Sequence, residues 1–230
     1  MNLIFFLHIA AEMGKIEFEI WELQLLEPMA LILNLIMCFQ SFHHYREIKN
    51  SFTSPFSSYF GKFFLFISIS TFFAAWSHLF YNYLGMAGKI PGYSTTIISI
   101  SMLEYAMVIY LYPKGNILLK SIIFILMVSA FGLLIFELKF LWIAIHMAIG
   151  IVLFLGIPFS FKIIKGEEKA SFFFWGFIFM LMTLPVELLK LNLHPWFQHQ
   201  DISHIFMICA LYCFSKGVHL KELISSQVKV

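Results

Sequence analysis

Charge is what this sequence has least of. Acidic and basic side chains make up 12% of its 230 residues, about half of the roughly 25% that a soluble domain carries. With 60% of the residues hydrophobic, the chain is expected in a bilayer rather than in water. Cysteine is scarce as well. Cys38, Cys209 and Cys213 all fall inside apolar runs, which excludes a disulfide framework or a thiolate zinc knuckle and leaves packing as their role. The net charge of +2 is small and scattered. With no basic run and no glycine-rich phosphate loop, nucleic acid is excluded as a partner. Internal repeats and low-complexity tails are also lacking.

What the sequence does hold is a series of seven apolar segments: approximately Leu23 to His43, Phe60 to Leu84, Thr95 to Tyr112, Ile117 to Phe136, Phe140 to Phe161, Ser171 to Leu189 and Asp201 to Val218. The runs are continuous rather than alternating in short strands, so they read as membrane helices and not as a barrel. The predicted fold is an all-α integral membrane protein, a seven-transmembrane helix bundle over residues 23–218. An interfacial segment, 1–22, precedes it and a cytoplasmic tail, 219–230, follows. Met1 to Ala11 is apolar but shorter than the roughly 20 residues of a span. It has neither the basic start nor the small-residue cleavage pattern of a leader. Glu12, Glu17, Glu19 and Glu22 then give an interfacial lead-in. The abundance of phenylalanine, 29 residues, carries no functional reading by itself.

Cytoplasmic margins of membrane proteins are enriched in Lys and Arg. With seven spans, one side holds Arg46, Lys49, Lys62, Lys114, Lys120, Lys162, Lys165, Lys169, Lys216, Lys221 and Lys229, and the other Lys15, Lys89, Lys139 and Lys190. Eleven against four places the N-terminus outside and the C-terminus in the cytoplasm. The expected location is a multi-pass protein of the plasma or inner membrane, in contact with membrane lipids.

Because alternate helices run in opposite directions, each intramembrane polar residue can be assigned a depth. Glu27, His78, Asn82, His146, Glu187, Asp201 and His204 fall in the outer half, and Glu104 at mid-depth. Ionisable groups in a membrane are costly and mark function by default, so this convergence predicts one polar pocket opening outward. On the first helix Glu27, Leu31, Asn34, Cys38 and Ser41 share one face. Plainer readings exist for each member. Glu27-Pro28 is a favourable helix start, His146 a residue that glues helices by hydrogen bonding, and Asp201 an N-cap. His194 and His199 read as loop residues, and His43 and His44 as interfacial residues on the opposite, cytoplasmic side.

His78 late in the second helix, His204 early in the seventh and the N-out topology together resemble the seven-helix superfamily of the alkaline ceramidases and adiponectin-receptor-like hydrolases. That superfamily carries a Ser-x-x-x-His pair and a His-x-x-x-His pair at these places. Here Ala74 stands four residues before His78 and Gln200 four before His204, so two of three histidine ligands remain. The resemblance implies zinc held by His78 and His204, with Asp201, His199 or His146 as third ligand, and a lipid amide or ester as substrate. Nitrogen and carboxylate donors with an open fourth position would lower the pKa of bound water toward about 7. Glu27 or Glu187 would serve as general base and Ser77 would orient the carbonyl. The same residues admit two other readings. One is a haem protein for electron transfer, with paired histidines as axial ligands, and the other a sensory protein that binds a ligand without chemistry.

Overall fold

The computed structural model describes residues 17–227. The reading of Met1 to Ala11, the first part of the acidic lead-in and the last three residues lie outside them. The chain opens with a hairpin, β1 (Glu17–Ile20) and β2 (Leu23–Leu26), paired antiparallel from Glu17↔Leu26 to Ile20↔Leu23. Trp21 and Glu22 connect the strands with φ of 49° and 66°. Two left-handed residues in succession give the turn whose twist matches the strands. The expectation of helix from Leu23 onward is therefore corrected. Proline disfavours the α conformation in the residue before it, and it is well suited to the first helical position. The helix thus starts at Pro28 and cannot extend back through Glu27.

Seven long helical elements follow. They are α1 (Pro28–Ser51), α2 (Pro55–Leu79), α3 (Ile90–Leu111), α4 (Ile117–Glu137), α5 (Phe140–Ile164), α6 (Ser171–Leu189) and α7 (His199–Gln227). A single turn, Tyr81–Leu84, and a 3₁₀ turn, Ala87–Lys89, join α2 to α3. Local chemistry sets several ends. Ser54 caps α2 by accepting from the Ser57 N–H at 3.1 Å, and Asn116 caps α4 by accepting from the Leu119 N–H at 3.1 Å, each satisfying a helix-end donor that would otherwise be orphaned. In the middle of α5, residues Gly150–Gly156 wind as a π-helix. A Cβ at Gly150 would lie 2.8 Å from Glu104 Oε1, so this glycine makes room for a carboxyl group buried on α3. Helix α7 continues well past Val218, through most of the stretch read as a tail.

Six of these helices, all but α1, are long and apolar enough to cross a membrane. The chain is a helical, multi-pass membrane protein. Helix α1 has the length, but Asn34, Gln40, His43 and His44 dilute its apolar run.

Helix α1 packs on α2 and α7, α2 on α3, and α6 on α7, while α4 lies against α3 and α5 with few buried residues. Alternation of direction brings the start of α1, the end of α2, the end of α6 and the start of α7 to one end of the bundle. The other half is filled by phenylalanine. Phe60, Phe64 and Phe159 are fully buried, and Phe173 meets Phe159 at 4.8 Å and Phe60 at 5.8 Å between ring centroids, within the favourable range for aromatic pairs. Phe214 of α7 joins this group 6.3 Å from Phe60.

Gly176 of α6 permits that contact, since a Cβ there would stand 2.3 Å from Cε1 of the buried Phe214 ring. Gly176→Ala is expected to cost about 1–3 kcal/mol, the usual range for overpacking, read as a lower unfolding temperature in detergent. Adding Phe214→Leu should recover part of the loss, whereas no recovery would show that the glycine acts elsewhere.

Candidate functional site

The polar end of the bundle is built around Glu27. Its backbone is left-handed, with φ 48° and ψ 57°, and its side chain makes no capping bond to α1. For a residue with a Cβ this conformation costs roughly 1–2 kcal/mol. The carboxylate instead reaches α2, where Oε2 lies 2.5 Å from Nδ1 of His78, a residue 51 positions along the chain. Both side chains are largely buried, at 8% and 15% exposure. A carboxylate can only accept, so Nδ1 of His78 donates, and in a neutral imidazole the lone pair then resides on Nε2.

His204 of α7 is buried beside this pair, its ring perpendicular to that of His78 at 6.5 Å between centroids. Its Nε2 lies 3.4 Å from the amide nitrogen of Asn34, which also donates to the Ala30 carbonyl at 2.8 Å. Its Nδ1 is buried with no hydrogen-bond partner among the described residues. Three residues earlier, Asp201 accepts the Gln198 N–H through Oδ2 at 2.8 Å, while Oδ1 is buried with no partner among the described residues. Asp201 is not the N-cap. It is the third helical residue and reaches back to the N–H preceding α7, as the acid of a capping box does.

Around this centre lies a rim. Glu187, half exposed, accepts from Ser203 Oγ at 2.8 Å and stands 3.7 Å from His199 Nε2. His199 is the first residue of α7 rather than a loop residue, and Asn192 Oδ1 takes its backbone N–H at 2.8 Å and meets its Nδ1 at 2.7 Å. His194 stays in the exposed loop, its Nδ1 accepting from the Trp196 N–H at 3.1 Å. A pocket bounded by Glu27, Met29, Trp196, Gln200 and Asp201 opens here. The hairpin lies over the same end, where Phe18 stacks on Trp196 at 6.4 Å and the Gln24 N–H bonds the Tyr83 hydroxyl at 2.9 Å.

The structure thus gathers Glu27, His78, Asp201 and His204, with His199 and Glu187 at the edge. Two expected members lie apart. His146 is buried against α3, 3.3 Å from Ser101 Oγ and 3.4 Å from the Ile97 carbonyl. Ser77 is buried and donates to the Ala74 carbonyl of its own helix at 3.0 Å. Asn34 and Asn192 enter the site without having been singled out for it. Asn34 had a signal, its place on the same helical face as Glu27, whereas nothing in the local sequence marks Asn192.

The donor set does not fit a metal triad as it is arranged. Among the described His, Cys, Asp and Glu residues, no three at this end bring ligand atoms within 4.8 Å of one another. Nε2 of His204 is turned to the amide of Asn34, a contact that ligation of zinc or haem through that atom would have to break.

Fold and site together define a multi-pass helical membrane protein with a polar centre at one end of its bundle. The chain belongs to a family of unknown function, DUF6962, whose model matches residues 29–222. No curated protein and no solved structure matches it.

Asp201→Ala removes the bond that closes the start of α7 and is expected to lower stability by about 0.5–2 kcal/mol, as lost helix caps do. Asp201→Asn keeps an acceptor oxygen and should lose less. Hydrogen exchange at the Gln198 amide distinguishes them: protection equal in Ala and Asn variants would remove the capping role.

Proposed function

We propose that this protein spans the membrane seven times, with its N-terminus outside and its C-terminus in the cytoplasm of a plasma or inner membrane, and hydrolyses an amide or ester bond of a membrane lipid at its outer end. The observation that carries the reading is the buried Glu27–His78 contact. A carboxylate fixing one imidazole nitrogen while the other keeps its lone pair is the arrangement of an oriented general base. Nε2 of His78 accepts a proton from water as the water oxygen bonds to the substrate carbonyl carbon. The tetrahedral intermediate then collapses, the carbon–nitrogen or carbon–oxygen bond breaks, and the leaving group takes the proton back from Nε2. Glu27 remains a carboxylate throughout and stabilises the transient imidazolium. Ser77 is left out of this scheme, since its hydroxyl is committed to its own helix.

Lipid as the substrate class is supported by position. Trp76, Tyr83 and Trp196, all partly exposed, surround this end of the bundle, as aromatic side chains do at a membrane–water boundary. Most of the described Lys and Arg residues belong to the opposite end, with Lys89, Lys139 and Lys190 at this one, and this excess supports the orientation.

Detergent-purified protein incubated with fluorogenic lipid amides and esters is expected to turn over one class. Glu27→Gln and His78→Ala should each lower the rate by about 10²-fold or more, the usual contribution of a general base, and His194→Ala should not. Turnover unchanged in His78→Ala would sink the proposal.

A further inference from the structure

At the far end of α1 a second group of ligating side chains stands together. His43, His44 and Glu47 place one donor atom each within 4.8 Å of the others. His43 Nε2 lies 3.3 Å from Glu47 Oε1, and His44 Nδ1 lies 3.3 Å from Glu47 Oε2. We propose that these three side chains form a binding site for a zinc-like divalent transition-metal ion, separate from the polar centre at the other end of the bundle.

The separations are the first argument. Donor atoms about 2.0–2.2 Å from a tetrahedral zinc ion lie about 3.3 Å from one another, so the carboxylate already stands from each imidazole nitrogen as a fellow ligand would. The chemistry of the set is the second. Two imidazoles and a carboxylate suit zinc, nickel or copper rather than calcium or magnesium, which prefer oxygen alone. Three protein ligands leave a fourth position for water or an exchangeable ligand. Pre-organisation is the third. His44 is buried and its ring is packed 5.3 Å from that of Phe64, which holds the imidazole with Nδ1 toward Glu47. The two imidazole rings stand 5.7 Å apart. His43 is exposed at 67%, which gives an ion from solution a way in. The neighbouring Arg46 and Lys49 weaken the attraction for a cation, so the site depends on direct ligation rather than on its net field.

The inference rests on α1 alone and not on the hydrolase reading. Glu27 and Glu47 are separated by about 30 Å of helix rise, so a variant of one centre leaves the other intact.

The test is equilibrium dialysis of the full chain in detergent against zinc ion at neutral pH. One ion per chain is expected. Loss of an orienting partner alone weakens metal sites about 10–100-fold, so His43→Ala and Glu47→Gln should each weaken binding by at least about tenfold, while His78→Ala leaves it unchanged. These variants are chosen because both side chains are exposed enough to be replaced without disturbing the core, unlike His44. With cupric ion as probe, electron paramagnetic resonance should show coupling to two imidazole nitrogens, falling to one in His43→Ala. Wild-type protein that binds no zinc, unchanged affinity in both His43→Ala and Glu47→Gln, or a loss confined to His78→Ala would each overturn the site.

Discussion

An ionisable side chain removed from water is costly unless a partner answers it, and the contact between Glu27 and His78 meets that cost at the polar end of the bundle. Desolvating an unpaired charge costs several kcal/mol even after the surroundings relax. Glu27 and His78, both largely buried, answer one another across the gap between α1 and α2. The contact demands a particular backbone, because a carboxylate pointing along α1 would cap its own helix instead of reaching α2. The left-handed turn at Glu27 supplies it. Pro28 bars the right-handed alternative just where the chain leaves the hairpin. A strained conformation held by the structure around it is most often found where geometry serves function.

The remainder of the bundle divides along its axis. At the polar end Asn34 and His204 join α1 to α7, and Glu27 and His78 join the start of α1 to α2; toward the other end α2, α5, α6 and α7 meet through tilted and edge-on phenylalanine rings. The two halves impose different tolerances. In lipid, apolar packing gains little from the hydrophobic effect and depends on close fit, so glycines such as Gly176, which admits the Phe214 ring, matter there. At the polar end, fit is set by direction, since each donor needs its acceptor at one distance and angle.

Much of this was legible in the sequence. Continuous apolar runs predicted the six helices that are long and apolar enough to cross a membrane, because a span in lipid must satisfy its backbone internally and leaves a long, uninterrupted signal. The 3-4 spacing on α1 placed Glu27 and Asn34 on one face, and depth placed His78, Asp201 and His204 with them. The hairpin was not anticipated, because Leu23–Leu26 is as apolar as the helix that follows and only the Glu-Pro step separates them. His146 shares one half of the bundle with the cluster but turns to α3, since depth fixes height along a helix and says nothing of which neighbour a side chain faces. His43 and His44 read as interfacial residues, as adjacency in sequence does not show that Glu47, one turn on, meets both.

Helix α1 emerges as the element that relates these parts. Its polar residues set it apart from the six more apolar helices, and they are placed in two groups. Glu27 and Asn34 reach α2 and α7 at one end, and His43, His44 and Glu47 gather at the other. If its polarity only reflected exposure to water, Asn34 and His44 would be exposed, yet both are buried. A buried polar group costs stability unless it finds a partner. The polarity of α1 is therefore better explained by the contacts at its two ends, Glu27 with His78 and Glu47 with His43 and His44, than by exposure to water.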